Sequence, residues 1–141
     1  MPFVNVVIHI VWATKDRKPL MNKANKDALC DHIRGYAKTK SIHIVSVNGW
    51  QDHLRCLISL DSDQNIATVV GLLKGESSHW ANKNLHWPEK FGWQDEYFAV
   101  SVGRDQTEIV KQYIDNQEEL HQKKTFQNEY DDFIKNYEFE E

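Results

Sequence analysis

The chain has 141 residues and a mass of 16.6 kDa, enough for one domain with a real core and too few for two independent ones. Its 40% hydrophobic and 27% charged content is that of a water-soluble fold, and no apolar run approaches the roughly 18 residues of a membrane-spanning helix. The net charge of −4 hides an asymmetry: residues 1–40 carry eight Lys/Arg against three Asp/Glu (+5), residues 41–83 three against four (−1), and residues 84–141 six against fourteen (−8). A basic first third could orient the molecule on a polyanion, and two solvated faces would give the same composition.

Residues 3–13 form an apolar, β-branched run without a basic leader or a small-residue cleavage site, so they read as a first strand of a cytoplasmic protein rather than a signal peptide. The polar "KDRKPLMNK" follows as a loop. From Lys26 to Lys38, Leu29, Cys30, Ile33, Tyr36 and Ala37 recur at helical steps and predict an amphipathic helix. Strands are expected at 42–48 and 53–60 around a turn at Gly49. A second helix is expected over 65–82, started by Asp63 or a nearby polar residue of "LDSDQN" and burying Ile66, Val69, Val70, Leu73, Ser77 and Trp80. Pro88 and Gly92 interrupt 84–95 as a loop, and 96–102 reads as a short strand. A single helix then runs through "RDQTEIVKQYIDNQEELHQ", capped by Asp105 or Thr107, with Ile109, Val110, Tyr113, Ile114 and Leu120 at helical spacing. After the polar "QKKT", the aromatic spacing over 125–138 predicts a terminal helix, so 122–141 reads as a helical tail on one domain spanning 1–141. The order predicts an α+β fold: an antiparallel sheet with helices on one face, close to the ferredoxin-like split β-α-β arrangement. Cys30 and Cys56 lack a Cys-x-x-Cys partner and read as small core residues.

The stretch "NGWQDHLRCLISL" (48–60) raises a chemical question. Alternation puts Leu54, Cys56, Ile58 and Leu60 on one face and His53 and Arg55 side by side on the other. His53 alone reads as a hydrogen-bonded structural residue or as a metal ligand, His9 is a second candidate for the same face, and Asp52 reads as a turn residue. Tyr113 and Gln117 are four apart, neighbours on one helix face, where a tyrosine continuing the Ile109 stripe is ordinarily a core aromatic.

The segments "IHIVWATKDRKPL", "VNGWQDHLRCLISL", "LLKGESSHWAN" and "FGWQDEYFAVSVGRDQTEIVKQYIDNQEELHQKKTFQNEY" together resemble the small single-tyrosine transposases of the HUH class, including the REP-associated ones, which move elements as single-stranded DNA. The resemblance implies that Tyr113 is a nucleophile forming a 5′-phosphotyrosine, and that His53 and Gln117 are ligands of Mg²⁺ or Mn²⁺. It further implies that the partner is single-stranded DNA with hairpin ends, and that two copies form a dimer sharing their sites. A phenol is a poor nucleophile at neutral pH and needs a metal to polarise the scissile phosphate, so the residue types suit the chemistry. The sequence departs from the family at two positions: Gln51 stands where the motif has proline, and Arg55 where it has a second histidine. A guanidinium has no lone pair for a metal. Three outcomes are open: Arg55 holds the scissile phosphate itself, His9 or another group completes the metal site, or the protein is a decayed or domesticated DNA-binding homologue.

For the DNA backbone the candidates are Lys15, Arg17 and Lys18, with Lys23, Lys26, Arg34 and Lys38 extending a basic surface. The family-like "LLKGESSHW" adds Lys74, Ser77 and Ser78, although Ser77 could equally allow close helix packing. Trp12, Trp50, Trp87 and Trp93 are candidates for stacking on unpaired bases or for packing within the fold.

Overall fold

A computed structural model describes residues 3–121; the expected terminal helix over 125–138 lies outside them. Four strands, β1 (Val6–Ala13), β2 (His43–Gly49), β3 (His53–Leu60) and β4 (Phe98–Val102), form one antiparallel sheet in the order β2-β3-β1-β4. Helix α1 (Lys23–Thr39) links β1 to β2, and α2 (Ile66–Asn84) links β3 to β4. This is the expected α+β fold, two interleaved split β-α-β units. Phe3 and Val4 precede β1 and are exposed rather than part of the strand.

The two central strands explain their own composition. Val7 to Trp12 of β1 and His53 to Ile58 of β3 are buried almost without a break, as strands covered on both faces must be. One face carries Ile8, Ile10 and Trp12 of β1 with Leu54, Cys56, Ile58 and Leu60 of β3, and packs on Leu29, Cys30 and Ile33 of α1 and Val69, Val70 and Leu73 of α2. Each large apolar side chain removed from water there contributes about 1.5–3 kcal/mol. Both cysteines are buried free thiols; burial pushes Cys30 up to about 12 and raises Cys56 as well, so they stay protonated and inert.

The expectation of helices on one face holds for α1 and α2. Helix α3 (Thr107–Asp115) lies across the opposite face, where Val110 and Ile114 pack on Val7, Leu57 and Val102. Ile109, read as part of the buried stripe, is 61% exposed.

Local chemistry fixes the helix starts. Asn22 caps α1 by accepting from the Asn25 amide, and Asn65, one of the polar residues beside Asp63, caps α2 by accepting from the Thr68 amide. Helix α3 has Gln106 at its N-cap with no side-chain bond; neither Asp105 nor Thr107 caps it, and the Thr107 hydroxyl donates back to the Gly103 carbonyl instead. The long third helix of the sequence reading is two helices. Asn116 leaves the helical conformation (φ −100°, ψ 23°), and α4 (Gln117–His121) begins after it.

Candidate active site

The site begins at the β2–β3 turn. A Cβ on Gly49 would lie 2.2 Å from the His53 carbonyl oxygen, so only glycine lets the chain close there, with the Trp50 amide bonded to that same carbonyl. The turn is pinned from outside: Thr14 N–H donates to the Asp52 carbonyl at 2.9 Å and Met21 N–H to that of Gln51 at 3.0 Å. His53 is thereby the first residue of β3, and His53 and Arg55 both point to the α3 face, each with no exposed surface.

Helix α3 supplies the other half. Its C-terminal end is tied to β2 by the Ser46 hydroxyl donating to the Asp115 carboxylate at 2.5 Å and by the Asn48 amide donating to the Asp115 carbonyl at 3.0 Å. Burial opposes the charge of Asp115, and the bonds from Ser46 and Lys111 outweigh it and hold its pKa below the usual range. The break at Asn116 turns Gln117 into the sheet, where it is wholly buried. Lys26 of α1 steadies this corner: only 2% exposed, it donates to Glu118 at 2.6 Å, Asp27 at 2.7 Å and Asn48 at 2.8 Å. Burial works against its charge, and the two carboxylates more than offset that and raise its pKa.

Four predicted residues thus converge within one chain. Gln117 Oε1 lies 3.0 Å from His53 Nε2 and accepts from Arg55 Nε at 3.2 Å, while the Gln117 amide donates to the Tyr113 carbonyl at 3.2 Å. The Arg55 guanidinium carbon sits 5.2 Å over the ring of Tyr113, and His9 meets that ring edge-on at 6.5 Å. Tyr113 is half-buried with its hydroxyl buried, in surroundings that include a guanidinium and an imidazole. Tyr113 and Gln117 are four apart as expected, but on two successive helices.

Asp52, read as a turn residue rather than a ligand, sits in the turn and also touches His53. Its carboxylate is 2.9 Å from His53 Nδ1, the carboxylate–imidazole pairing that orients a ring. Burial first, then the Arg55 charge, keeps both His9 and His53 below the usual histidine range, although Asp52 and Gln117 pull His53 back up. Both rings are therefore neutral at pH 7, and Asp52 and Gln117 flank a His53 imidazole with one proton. Arg55 only donates, so it fixes the carbonyl oxygen of Gln117 toward itself and toward His53.

The donor set can be tested against a divalent ion. His53 Nε2 and Gln117 Oε1, 3.0 Å apart, match one edge of an octahedron with bonds of about 2.1 Å. The rest does not fit. Two neutral donors stand beside a permanent cation, and a divalent ion 4 Å from a guanidinium meets a repulsion of order 8 kcal/mol at an effective dielectric of about 20. His9 faces Leu57, four residues along β3 from His53, roughly 13 Å at 3.3 Å per residue, with Arg55 between them. Among the described residues no group of three or more His, Cys, Asp or Glu is arranged to hold a metal.

The remaining candidates divide. Lys15 and Lys18 are exposed and line a cleft of about 340 Å³ with Lys90 and Gly92; Lys18 also pairs with Glu89 at 2.8 Å. Arg17 is half-buried, and it and Asp16 both adopt left-handed φ values (54° and 57°), an unfavourable conformation for residues other than glycine. The wider basic surface is smaller than expected, because Lys26 is buried and Lys23 and Arg34 are paired with carboxylates. Lys74 donates to the carbonyls of Gln94 (2.5 Å) and Asp95 (2.9 Å), and Ser77, fully buried, bonds the Lys74 carbonyl and the Trp93 indole N–H. Ser78 donates to the Gly75 carbonyl and lines a separate cleft of about 300 Å³ with Lys74 and Tyr97. Trp87 and Trp93 pack on Phe91 and Trp12 packs on Trp93 as part of the core; Trp50 is half-buried. Among the described residues no helix is long and apolar enough to cross a membrane.

Comparisons with known proteins place the chain among relatives of one family. Residues 3–117 match the family model "Transposase IS200 like". The chain is 24% identical over 118 residues to the transposase of insertion sequence element IS200 from Salmonella typhimurium, covering 80% of this chain and 77% of that one. It is likewise 24% identical over 115 residues to the ISDra2 transposase TnpA of Deinococcus radiodurans, covering 77% and 81%. Among solved structures, a protein from Deinococcus radiodurans R1 superposes with a TM-score of 0.62 at 25% identity, covering 83% of this chain and 95% of that one. A REP-associated tyrosine transposase bound to a REP hairpin gives 0.64 at 12% identity, covering 86% and 71%, a likeness of fold. With the family model spanning most of its length, this chain belongs to the IS200-like transposase family.

Proposed function

We propose that this protein binds single-stranded DNA at hairpin-forming ends and cuts and rejoins it through a covalent bond to Tyr113. The observation that carries this reading is the shared carbonyl oxygen of Gln117, which links His53 and Arg55 on the sheet to the helix bearing the phenol. In the proposed step the phenolic oxygen adds to phosphorus and the bond from phosphorus to the 3′ oxygen breaks. The phenol's proton ends on that oxygen, leaving a free 3′-hydroxyl and a 5′-phosphotyrosine. One phosphodiester replaces another, so rejoining needs no further energy source. Because the Tyr113 hydroxyl is buried in this arrangement, α3 has to shift for a phosphate to enter.

Asp52 and Gln117 orient the His53 ring, and Lys15, Arg17 and Lys18 meet backbone phosphates, with Ser78 and, if its carbonyl bonds are exchanged, Lys74 as further contacts; Ser77 supports the fold beneath them. Mg²⁺ or Mn²⁺ would suit an imidazole and an amide oxygen, but the guanidinium beside them leaves no fitting site, so no step here passes through the ion. A homodimer and a cytoplasmic location accompany the reading.

A second reading, a silent DNA-binding homologue, is favoured by one observation: Arg55 occupies the position of an expected ligand. One experiment separates the two. Hairpin-containing single strands selected from a random library by binding to the full chain are incubated with it, and denaturing gels are scored for protein bonded to DNA. The proposal expects an adduct that Tyr113→Phe abolishes while hairpin binding persists; binding without any adduct favours the silent homologue.

A further inference from the structure

We propose that Arg55 is the built-in cation of this site, gripping the non-bridging oxygens of the scissile phosphate where a divalent ion would otherwise sit, so that phosphotyrosine formation needs no divalent metal. The inference rests on Tyr113 being the nucleophile. Three features of the fold carry it. Arg55 follows His53 by two residues on one strand, so sheet geometry delivers it to the same face and the same depth. Its Nε–H is engaged by Gln117 at 3.2 Å, which fixes the plane of a guanidinium that has further N–H groups in a fork matched to phosphate oxygens. That fork lies over the Tyr113 ring, with its carbon 5.2 Å from the ring centre, so a phosphate brought to the phenol is also brought to the cation.

The same features make Arg55 and a divalent ion alternatives. Both would draw on Gln117 Oε1, and each repels the other. A guanidinium stays charged across the whole working pH range, so it supplies a positive charge that no chelator removes. Arg55 is then a catalytic residue, touching the reacting phosphate, and His53 with Asp52 becomes a hydrogen-bonding partner of the site rather than a metal ligand.

The test compares the native chain with Arg55→Gln, Arg55→Lys and Arg55→His, using a hairpin strand selected by binding. Adduct formation is timed in a single turnover in EDTA, in Mg²⁺ and in Mn²⁺; thermal melting checks folding, and Mn²⁺ binding is read by electron paramagnetic resonance. The native chain is expected to react in EDTA within about twofold of its rate in Mg²⁺ and to show no Mn²⁺ site. Arg55→Gln should lose at least about a hundredfold in rate in every buffer while still melting cooperatively, with Arg55→Lys between them. Arg55→His should be inactive in EDTA, should gain an Mn²⁺ site, and should react when that site fills. A native chain that reacts only with metal, or an Arg55→Gln variant that reacts normally, overturns the proposal and leaves Tyr113 as nucleophile. A native chain inert in every buffer beside an active Arg55→His with Mn²⁺ also overturns it, because Arg55 then blocks the site. No adduct from any variant in any buffer removes the nucleophile reading and this inference with it.

Discussion

The two faces of the sheet come from the same strands and do different work. Toward α1 and α2 the strands present Ile8, Ile10, Trp12, Leu54, Cys56 and Ile58, an apolar layer with little to say about chemistry. Toward α3 they present His9, Ser46, His53 and Arg55, all buried, beside an apolar cluster of Val7, Leu57 and Val102 with Val110 and Ile114 of α3. Buried imidazoles and a guanidinium cost desolvation that an apolar residue of similar volume would avoid. Their concentration on one face, around a phenol, is what singles that face out as the candidate site.

The sharpest contrast is between Leu54→Ala and Tyr113→Phe. Leu54 has no exposed surface in the apolar layer, so its truncation should lower unfolding free energy by about 2–5 kcal/mol in urea titrations. Tyr113→Phe keeps the ring and should change stability by less than about 1 kcal/mol, while removing all adduct. Equal stability losses would break the division between the faces.

Lys26→Met comes next. It removes the amine shared by Glu118, Asp27 and Asn48 and should cost about 2 kcal/mol, discounted because both carboxylates are partly exposed. Its hairpin adduct should form more slowly than that of the native chain, because α4 and Gln117 lose their tie to α1.

A smaller effect follows from pH. His9 and His53 have pKa values below the usual 6.5 in the folded protein, so as pH falls below about 6.5 the unfolded chain takes up protons first and stability declines; above that pH these groups add no slope. Denaturant titrations from pH 8 to 5 should show the decline, and His9→Gln should remove up to one proton's share, about 1.4 kcal/mol per pH unit. The lowered carboxylates Asp27, Asp115 and Glu118 act in the same direction but further toward acid.

The smallest expected change is at the exposed loop. Lys15→Ala with Lys18→Ala should alter stability by no more than about 0.5 kcal/mol. If both contact the DNA backbone, the slope of log affinity against log salt should shallow by about 0.7 for each.

What the sequence disclosed depended on range. Strand alternation is local, so it put His53 and Arg55 on one face correctly, and helical spacing located α1 and α2 within a few residues. The opposite placement of α3 was hidden, because a stripe of Val110, Tyr113 and Ile114 says that one helix face is covered but not by which side of a sheet. The break at Asn116 was equally hidden: "IDNQEEL" contains neither proline nor glycine, and contacts distant in sequence, Lys26 with Glu118 and His53 with Gln117, accompany the turn there. The contact of Asp52 with His53 was missed because alternation sends neighbours to opposite faces, a rule that lapses at a turn.

The most direct test of the account is mass spectrometry of the native chain after reaction with a selected hairpin strand and digestion of protein and DNA. The account predicts a nucleotide phosphate attached to the peptide through Tyr113, formed in EDTA as readily as in Mg²⁺. Full occupancy of the hairpin with Tyr113 unmodified in EDTA, Mg²⁺ and Mn²⁺ alike would contradict it.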